Sequence, residues 1–310
     1  MAISIDTFQR NIIKASEPMT SLRTCIKRFR RMVPDRARSA YICSRLFYRI
    51  IPARARAAIG ASFGQSWKLF CPTCGDRVPA FSPLPDFYFH ELEEHGSDLR
   101  SADFETLNSK AYQCPHCGAS DRDRLYSLFL STRLRVNESL PPGFSLLEIA
   151  PAASLSAHIR RSYAIRYRTA DLFQKNVDDR VDITSMSCYA QDSFDAFICS
   201  HVLEHVEEDR KAIAELFRIL KPGGWGIVMV PISLSLAENR EDPSKKTVAE
   251  RWKYFGQGDH VRVYSRAGFI KRLQGVGFIV REFGCDFFGS EQMARCGLSK
   301  GSVLYVAEKP

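Results

Sequence analysis

The 310-residue chain lacks any uninterrupted apolar run near the ~18 residues that a bilayer-spanning helix needs, so a helical membrane protein is not expected. Residues 1–14 lack the basic start and apolar block of a secretory signal, which makes a cytoplasmic protein the expectation. Nor is the chain short of apolar residues. With 45% hydrophobic and 25% charged residues it can bury one sizeable core plus a smaller unit, and disorder throughout is excluded. Acidic residues are scarce only at the start: residues 1–70 carry 3 Asp/Glu against 14 Lys/Arg, whereas the rest of the chain carries 32 against 30. The net charge of +9 therefore belongs to the head and says little about any site further on.

Within that head, Leu22, Ile26, Phe29, Met32 and Val33 recur at helical spacing among Arg23, Lys27, Arg28, Arg30 and Arg31. A second set, Tyr41, Leu46, Phe47, Ile50 and Ile51, precedes Pro52. Residues 1–70 are read as a basic helical arm. Such an arm packs on its own domain with its arginines in water, or lies peripherally on the anionic inner face of a membrane, or touches RNA or a partner protein.

Ten cysteines suggest disulfides, but four fall into matched pairs, Cys71-Pro-Thr-Cys74-Gly75 and Cys114-Pro-His-Cys117-Gly118. In such a knuckle a tight turn aims two thiolates at one tetrahedral ion, and two knuckles close a four-sulfur structural zinc site with no open position for catalysis. The 39 residues between the pairs, with Pro83, Pro85 and an acidic run at 91–94, read as a loop carried on a zinc module spanning 71–140. His116 reads as a bystander, and Cys25, Cys43, Cys188, Cys199, Cys285 and Cys296 as small buried hydrophobes.

A third unit, 141–310, begins after Pro141-Pro142-Gly143. Ser145-Leu146-Leu147-Glu148-Ile149-Ala150 reads as a strand, Pro151-Ala152-Ala153-Ser154 as a turn and 155–161 as a helix. A second strand, 167–171, ends in Asp171, 23 residues after Glu148, and Val181-Asp182-Ile183-Thr184 follows. Residues 194–200 form the next strand and exit into Ser200-His201-Val202-Leu203-Glu204-His205. A helix with Ala212, Leu216, Ile219 and Leu220 inward is then closed by Lys221-Pro222-Gly223-Gly224. Helix 269–273 and strands 278–283 and 302–307 complete the pattern, the last two as an antiparallel hairpin.

This order of elements resembles class I S-adenosylmethionine-dependent methyltransferases. Phe255-Gly256-Gln257-Gly258-Asp259-His260-Val261-Arg262-Val263-Tyr264 narrows the likeness to a bacterial subgroup with two leading C-P-x-C knuckles and a G-Q-x-D-H-V-R-x-Y segment. The resemblance runs from Cys71 to the C-terminus. It implies an α/β, Rossmann-like sheet, mostly parallel with the last strand antiparallel, beside the zinc-knuckle module and the arm. It also implies that Glu148, Ala150 and Ala152 meet the methionine part of S-adenosylmethionine, Asp171 the ribose, Asp182 the adenine, and Ser200 the cofactor from the next strand. Ala150, Pro151 and Ala152 stand where glycines are usual, Ala152 also where an acidic residue is expected, and Ser265 replaces a glycine. The carboxylate of Asp171 suits a dinucleotide as well, but no G-x-G-x-x-G accompanies it.

A sulfonium donor is already activated, so a base matters only where the acceptor must lose a proton. His201 stands where the methyl points, and His260 lies in the segment inserted over the acceptor; these are the candidate catalytic residues. Arg262 and Tyr264 hold an acceptor or brace that segment. His201-x-x-Glu204-His205 also spells an inverted zinc-protease motif, but that motif requires a continuous helix, and here it begins at a strand exit. The expected acceptor is a small-molecule or glycan hydroxyl. RNA is the alternative acceptor, and a non-catalytic zinc-stabilised binding protein the alternative role.

Overall fold

The computed structural model describes residues 68–134 and 140–310; residues 1–67, and with them almost all of the expected basic arm, lie outside the described residues. Strands β1 (Leu69–Phe70) and β2 (Arg77–Val78) pair antiparallel around the first cysteine knuckle. The two knuckles share one backbone pattern: Gly75 N–H donates to Cys71 O and Gly118 N–H to Cys114 O, each at 2.9 Å. Both glycines are left-handed, at φ 79° and 78°, a conformation that costs a side-chain-bearing residue about 1–2 kcal/mol.

Between the knuckles lies helix α1 (Phe87–Glu94), and after them α2 (Asp121–Arg133). Ser120 starts α2 with a reciprocal cap: its hydroxyl accepts from Asp123 N at 3.2 Å, and its own N–H donates to Asp123 Oδ2 at 2.8 Å. Although its opening residues are charged, α2 is buried along most of its length, and Leu125, Tyr126, Leu128, Phe129 and Leu130 join the main core. Arg124, fully buried, compensates by donating to the carbonyls of Ala111, Tyr112, Ala119, Cys296 and Gly297, which stitches the module to a late loop of the chain.

The large sheet follows. Its elements in chain order are β3 (Ser145–Ile149), α3 (Ala153–Ser162), β4 (Arg166–Asp171), β5 (Asp179–Arg180), β6 (Phe194–Ser200), α4 (Asp209–Ile219) and β7 (Leu220–Met229). A small ribbon of β8 (Arg240–Glu241) and β9 (Arg262–Val263) flanks α5 (Val248–Phe255). Then come α6 (Arg266–Gln274), β10 (Ile279–Phe283), α7 (Cys285–Phe288), α8 (Ser290–Arg295) and β11 (Leu304–Glu308). The seven strands lie in the order β10-β11-β7-β6-β3-β4-β5. The pairs from β7 through β5 are parallel, and β11 runs antiparallel to both its neighbours.

The apolar runs of β3 and β6 are buried on both faces, as parallel central strands require. Two local expectations change. Leu220 to Gly224 does not stop α4 in a loop; it opens β7, with a register irregularity against β6 between Phe194 and Ala196. The final antiparallel pair is joined through α7 and α8 rather than a tight hairpin.

Strand order reverses between β3 and β6, since the chain moves outward from β3 through β4 to β5 and from β6 to β7 on the other side. The crevice at the carboxyl ends of β3 and β6 is the place where open α/β sheets bind ligands.

Candidate functional site

Four sulfurs meet in the first knuckle pair. Cys71 Sγ lies 3.8 Å from Cys117 Sγ and Cys74 Sγ 4.0 Å from Cys114 Sγ, and all four fall within 4.8 Å of one another. A tetrahedral zinc with bonds of about 2.3 Å places its sulfurs about 3.8 Å apart, so the donor set fits that ion. His116 turns instead to the Asp76 carboxylate.

At the end of β3, Glu148 is buried and saturated. Its carboxylate accepts from Ala152 N–H and Ser156 Oγ, each at 3.1 Å, and from the Tyr167 hydroxyl. Burial pushes its carboxyl up to about 7 despite these donors. Glu148 thus ties the turn to the first residues of α3. Within that turn Ala150 is left-handed at φ 52°, the conformation a glycine adopts without strain, so an alanine holds the glycine geometry there.

Asp171 ends β4. Its Oδ1 accepts from Phe173 N at 2.6 Å and Gln174 N at 2.7 Å, and Oδ2 meets Gln174 Nε2 at 3.2 Å. The carboxylate caps a turn through one oxygen and keeps lone pairs on the other. Asp182, exposed, forms a local turn with Thr184 N and Oγ1, both at 2.8 Å. Small side chains at 150–152 and a carboxylate at the β4 end fit an adenosyl donor lying across these strand ends.

The exit of β6 is built differently. Ser200 Oγ is 2.7 Å from the Tyr126 hydroxyl, and His201 follows at φ 55°, a second left-handed residue that is not glycine. Leu203–His205 then forms a single 3-10 turn, so the His201, Glu204 and His205 side chains do not share a continuous helix, and His205 is not inside one. Arg122 from α2 brings Nη1 to 2.8 Å from His201 Nε2. Glu204 is fully buried, with Oε1 3.0 Å from His201 Nδ1 and 3.9 Å from His205 Nε2, and its Oε2 meets no donor among the described residues. The His205 and His260 rings meet edge to face with centroids 4.8 Å apart.

These groups line one cavity of about 240 Å³ together with Tyr88, Phe104, Tyr112 and Gln257. Its far wall is the inter-knuckle segment, sewn to the β7 exit by Glu105 N–H to Ile232 O at 3.0 Å and Leu234 N–H to Asp103 O at 2.8 Å. Burial lowers His201, with Arg122 adding to the effect, and burial brings His260 down to about 4. Burial works to raise the Glu204 carboxyl, but the surrounding imidazoles, His201 first, hold it below the ordinary carboxylate range.

Arg262 and Tyr264 brace rather than bind. Arg262, buried, donates to Leu203 O at 2.7 Å, Glu207 O at 2.8 Å and Val206 O, clamping the turn that carries Glu204. Tyr264 donates to Asp209 Oδ2 at 2.6 Å. Asp259 faces His205 rather than His260: His205 Nδ1 is 3.3 Å from its carbonyl and 3.4 Å from its carboxylate. Sequence reasoning passed over Arg122, Glu204 and His205 as site residues. The signal for the last two is the His-x-x-Glu-His spacing, which carries metal-ligand chemistry without the helix of a protease.

The sheet order, the reversed last strand and the crevice beside two strained strand exits define a class I methyltransferase-type fold. A family described as "Methyltransferase domain" matches residues 121–282, just over half of the chain, and the chain belongs to that family. It is an S-adenosylmethionine-dependent methyltransferase. No curated protein matches.

Among solved structures, the [4+2]-cyclase SpnF is 18% identical with a TM-score of 0.41, covering 74% of this chain and 99% of that one. The Haloferax volcanii complex of the Trm112 methyltransferase activator with a putative methyltransferase gives 15%, 0.39, and 61% and 94%. Haemonchus contortus phosphoethanolamine N-methyltransferase 2, in complex with S-adenosyl-L-methionine, gives 13%, 0.39, and 62% and 53%.

Proposed function

We propose that the acceptor is a hydroxyl of a small molecule or glycan, and that it enters the cavity between the β6 exit and the inter-knuckle segment. The observation that carries this reading is the cavity itself. It is sugar-sized, lined by aromatic rings and hydrogen-bonding groups, and open to the side chain at the strand exit where the donor's methyl is expected. The donor contacts are assigned to Ala150, Ala152, Asp171, Asp182 and Ser200, with Glu148, expected from the sequence as a donor contact, instead buried behind the turn it anchors, and a structural zinc is assigned to Cys71, Cys74, Cys114 and Cys117. When bound, the donor supplies a sulfonium methyl: the acceptor oxygen bonds to that carbon as the carbon–sulfur bond breaks and its electron pair goes to sulfur.

The chain's own residues do the remaining work. Asp171 fixes the ribose, and the Glu148-anchored turn lets backbone come close to the donor. Tyr88, Phe104 and Tyr112 exclude water and present faces on which a sugar ring packs. His260 orients the hydroxyl and receives its proton, with His201, whose ring nitrogens meet Arg122, in reserve. An RNA acceptor is disfavoured by the acidic residues of the inter-knuckle segment, Asp86, Glu91, Glu93, Glu94 and Asp98, which repel phosphate.

The test is calorimetry with S-adenosylmethionine and its demethylated product, followed by incubation of lysate with labelled donor and separation of small molecules, glycans and RNA. Label in the small-molecule or glycan fraction is expected. Label confined to RNA overturns the acceptor class, and absence of donor binding overturns the enzyme reading altogether.

A further inference from the structure

The geometry points to a second metal site, distinct from the four cysteines: Glu204, His205 and His260 form a two-histidine, one-carboxylate set for a divalent first-row transition-metal ion, placed where its open positions face the acceptor cavity. One ligand atom from each residue falls within 4.8 Å of the others, and all three residues line the cavity. With bonds of about 2.1 Å, two donors on one ion lie roughly 3–4 Å apart, so His205 Nε2 and Glu204 Oε1, at 3.9 Å, are already at ligand separation.

Three features point to a cation here rather than to a packed polar cluster. Glu204 is fully buried, His201 Nδ1 faces only its Oε1, at 3.0 Å, and Oε2 meets no donor among the described residues, which leaves a buried carboxylate with bonding capacity to spare. His205 Nδ1 sits 3.3 Å from the Asp259 carbonyl, and a carbonyl only accepts. With Nδ1 turned to that carbonyl, Nε2 is the ring nitrogen that faces the Glu204 carboxylate. A histidine oriented through its other nitrogen by a carbonyl or carboxylate is also the arrangement that metal-ligating histidines use.

The third feature is support from the framework. Arg262 clamps the carbonyls of Leu203, Val206 and Glu207 around the turn that carries Glu204 and His205. Val261 N–H donates to Glu204 O at 2.9 Å, which ties the His260 segment to the same turn. The ligands are thus held by bonds outside the site. His201 stays outside the set because Arg122 occupies its nitrogens. Two imidazoles and one carboxylate select Mn²⁺, Fe²⁺ or Zn²⁺ over Mg²⁺, which prefers oxygen donors.

This inference rests on the hydroxyl-acceptor reading only for its purpose. An ion there binds the acceptor hydroxyl, lowers its proton affinity and orients it; His260 then serves as a ligand instead of the base, and the departing proton passes to water. It also gives the His-x-x-Glu-His spacing a metal role without the continuous helix of a protease: the third ligand comes from the inserted segment instead.

The test uses the full-length protein with its cysteine site intact and Mn²⁺ as the probe. Binding is read by the loss of the free Mn²⁺ paramagnetic resonance signal, and donor binding is measured by calorimetry on the same samples. The wild type is expected to bind one Mn²⁺ per chain. Glu204→Gln, which keeps the buried shape, and His205→Ala, at a half-exposed position, are each expected to weaken Mn²⁺ at least about tenfold while donor affinity is retained. Mn²⁺ left free at millimolar concentration by protein that binds the donor normally overturns the site, as does equal Mn²⁺ affinity in the two variants and the wild type. Mn²⁺ binding with the expected variant losses, in protein that labels no hydroxyl acceptor, sustains the site and sinks the acceptor reading separately.

Discussion

The two strand exits that flank the switch point are built on opposite principles. At the end of β3, the Glu148 carboxylate is saturated by three donors from its own turn, α3 and β4. At the end of β6, the equally buried Glu204 meets only imidazoles, His201 Nδ1 at 3.0 Å on Oε1, and its Oε2 has no donor among the described residues. Each exit carries one strained residue, Ala150 and His201. A saturated carboxylate makes a fixed bed for a ligand that is always the same, whereas an unsatisfied one keeps bonding capacity for what enters the cavity. Donor recognition is thus expected to be a matter of structure and acceptor recognition a matter of chemistry.

The widest gap between the two sides is expected on loss of zinc. Structural zinc contributes apparent binding energies of about 10–16 kcal/mol in small zinc domains, more than a module of this size holds otherwise. Elemental analysis should find one zinc in the cysteine site. Cys114→Ser should release it and open residues 71–120, the acceptor wall, to proteolysis. Zinc-free protein with unaltered protease resistance breaks the assignment.

On the acceptor side, His260→Ala should cut labelled methyl transfer about 10²–10⁴-fold with donor affinity nearly unchanged. If donor affinity falls by the same factor, the two exits are not separable and His260 only orders its segment.

On the donor side, the raised Glu148 carboxyl gives a pH signature. Its unfolded value is near 4.5 and its folded value about 7, so both states hold the proton below about 4.5, and the folded state is penalised as pH rises through 7. Between those limits the wild type should lose up to about 3 kcal/mol, at 1.36 kcal/mol per unit. The groups that donate to Glu148, the Ala152 N–H and the hydroxyls of Ser156 and Tyr167, do not titrate in that window. Denaturant unfolding of Glu148→Gln across pH 4.5–8 should show a flatter profile; an unchanged slope assigns the effect to other groups.

A smaller donor effect is expected for Asp171→Ala, which should weaken S-adenosylmethionine by about 1.5–3 kcal/mol, the range for a charge-assisted hydrogen bond. No change in calorimetry would leave Asp171 as a turn cap alone. The smallest effect is expected for Ala150→Gly. Relief of a left-handed alanine, worth about 1–2 kcal/mol, outweighs the entropy of glycine, about 0.5–1 kcal/mol, so the variant should be more stable by about 0.5–1 kcal/mol. A drop in melting temperature would mean that the methyl of Ala150 packs against something the turn needs.

What the sequence determined by itself is whatever local chemistry encodes. The knuckles are legible because two thiolates and a glycine within five residues make one turn. Strands β3 and β6 are legible because buried parallel strands are short apolar runs, β4 (RYRTAD) is legible by its place and its terminal carboxylate instead, and Glu148, Asp171 and His201 are legible because they stand at strand ends. The tertiary structure decided the rest, because it depends on contacts between residues distant in the chain. The inter-knuckle segment reads as a loop, and only its bridge to the β7 exit makes it a cavity wall. Arg262 reads equally as an acceptor ligand or a brace, and only the three carbonyls it meets make it a clamp. His205 and His260 stand more than fifty residues apart, and no periodicity in either segment brings their rings together over Glu204. Spacing specifies an element and the face it presents, but the partner of that face is chosen by packing across the whole core.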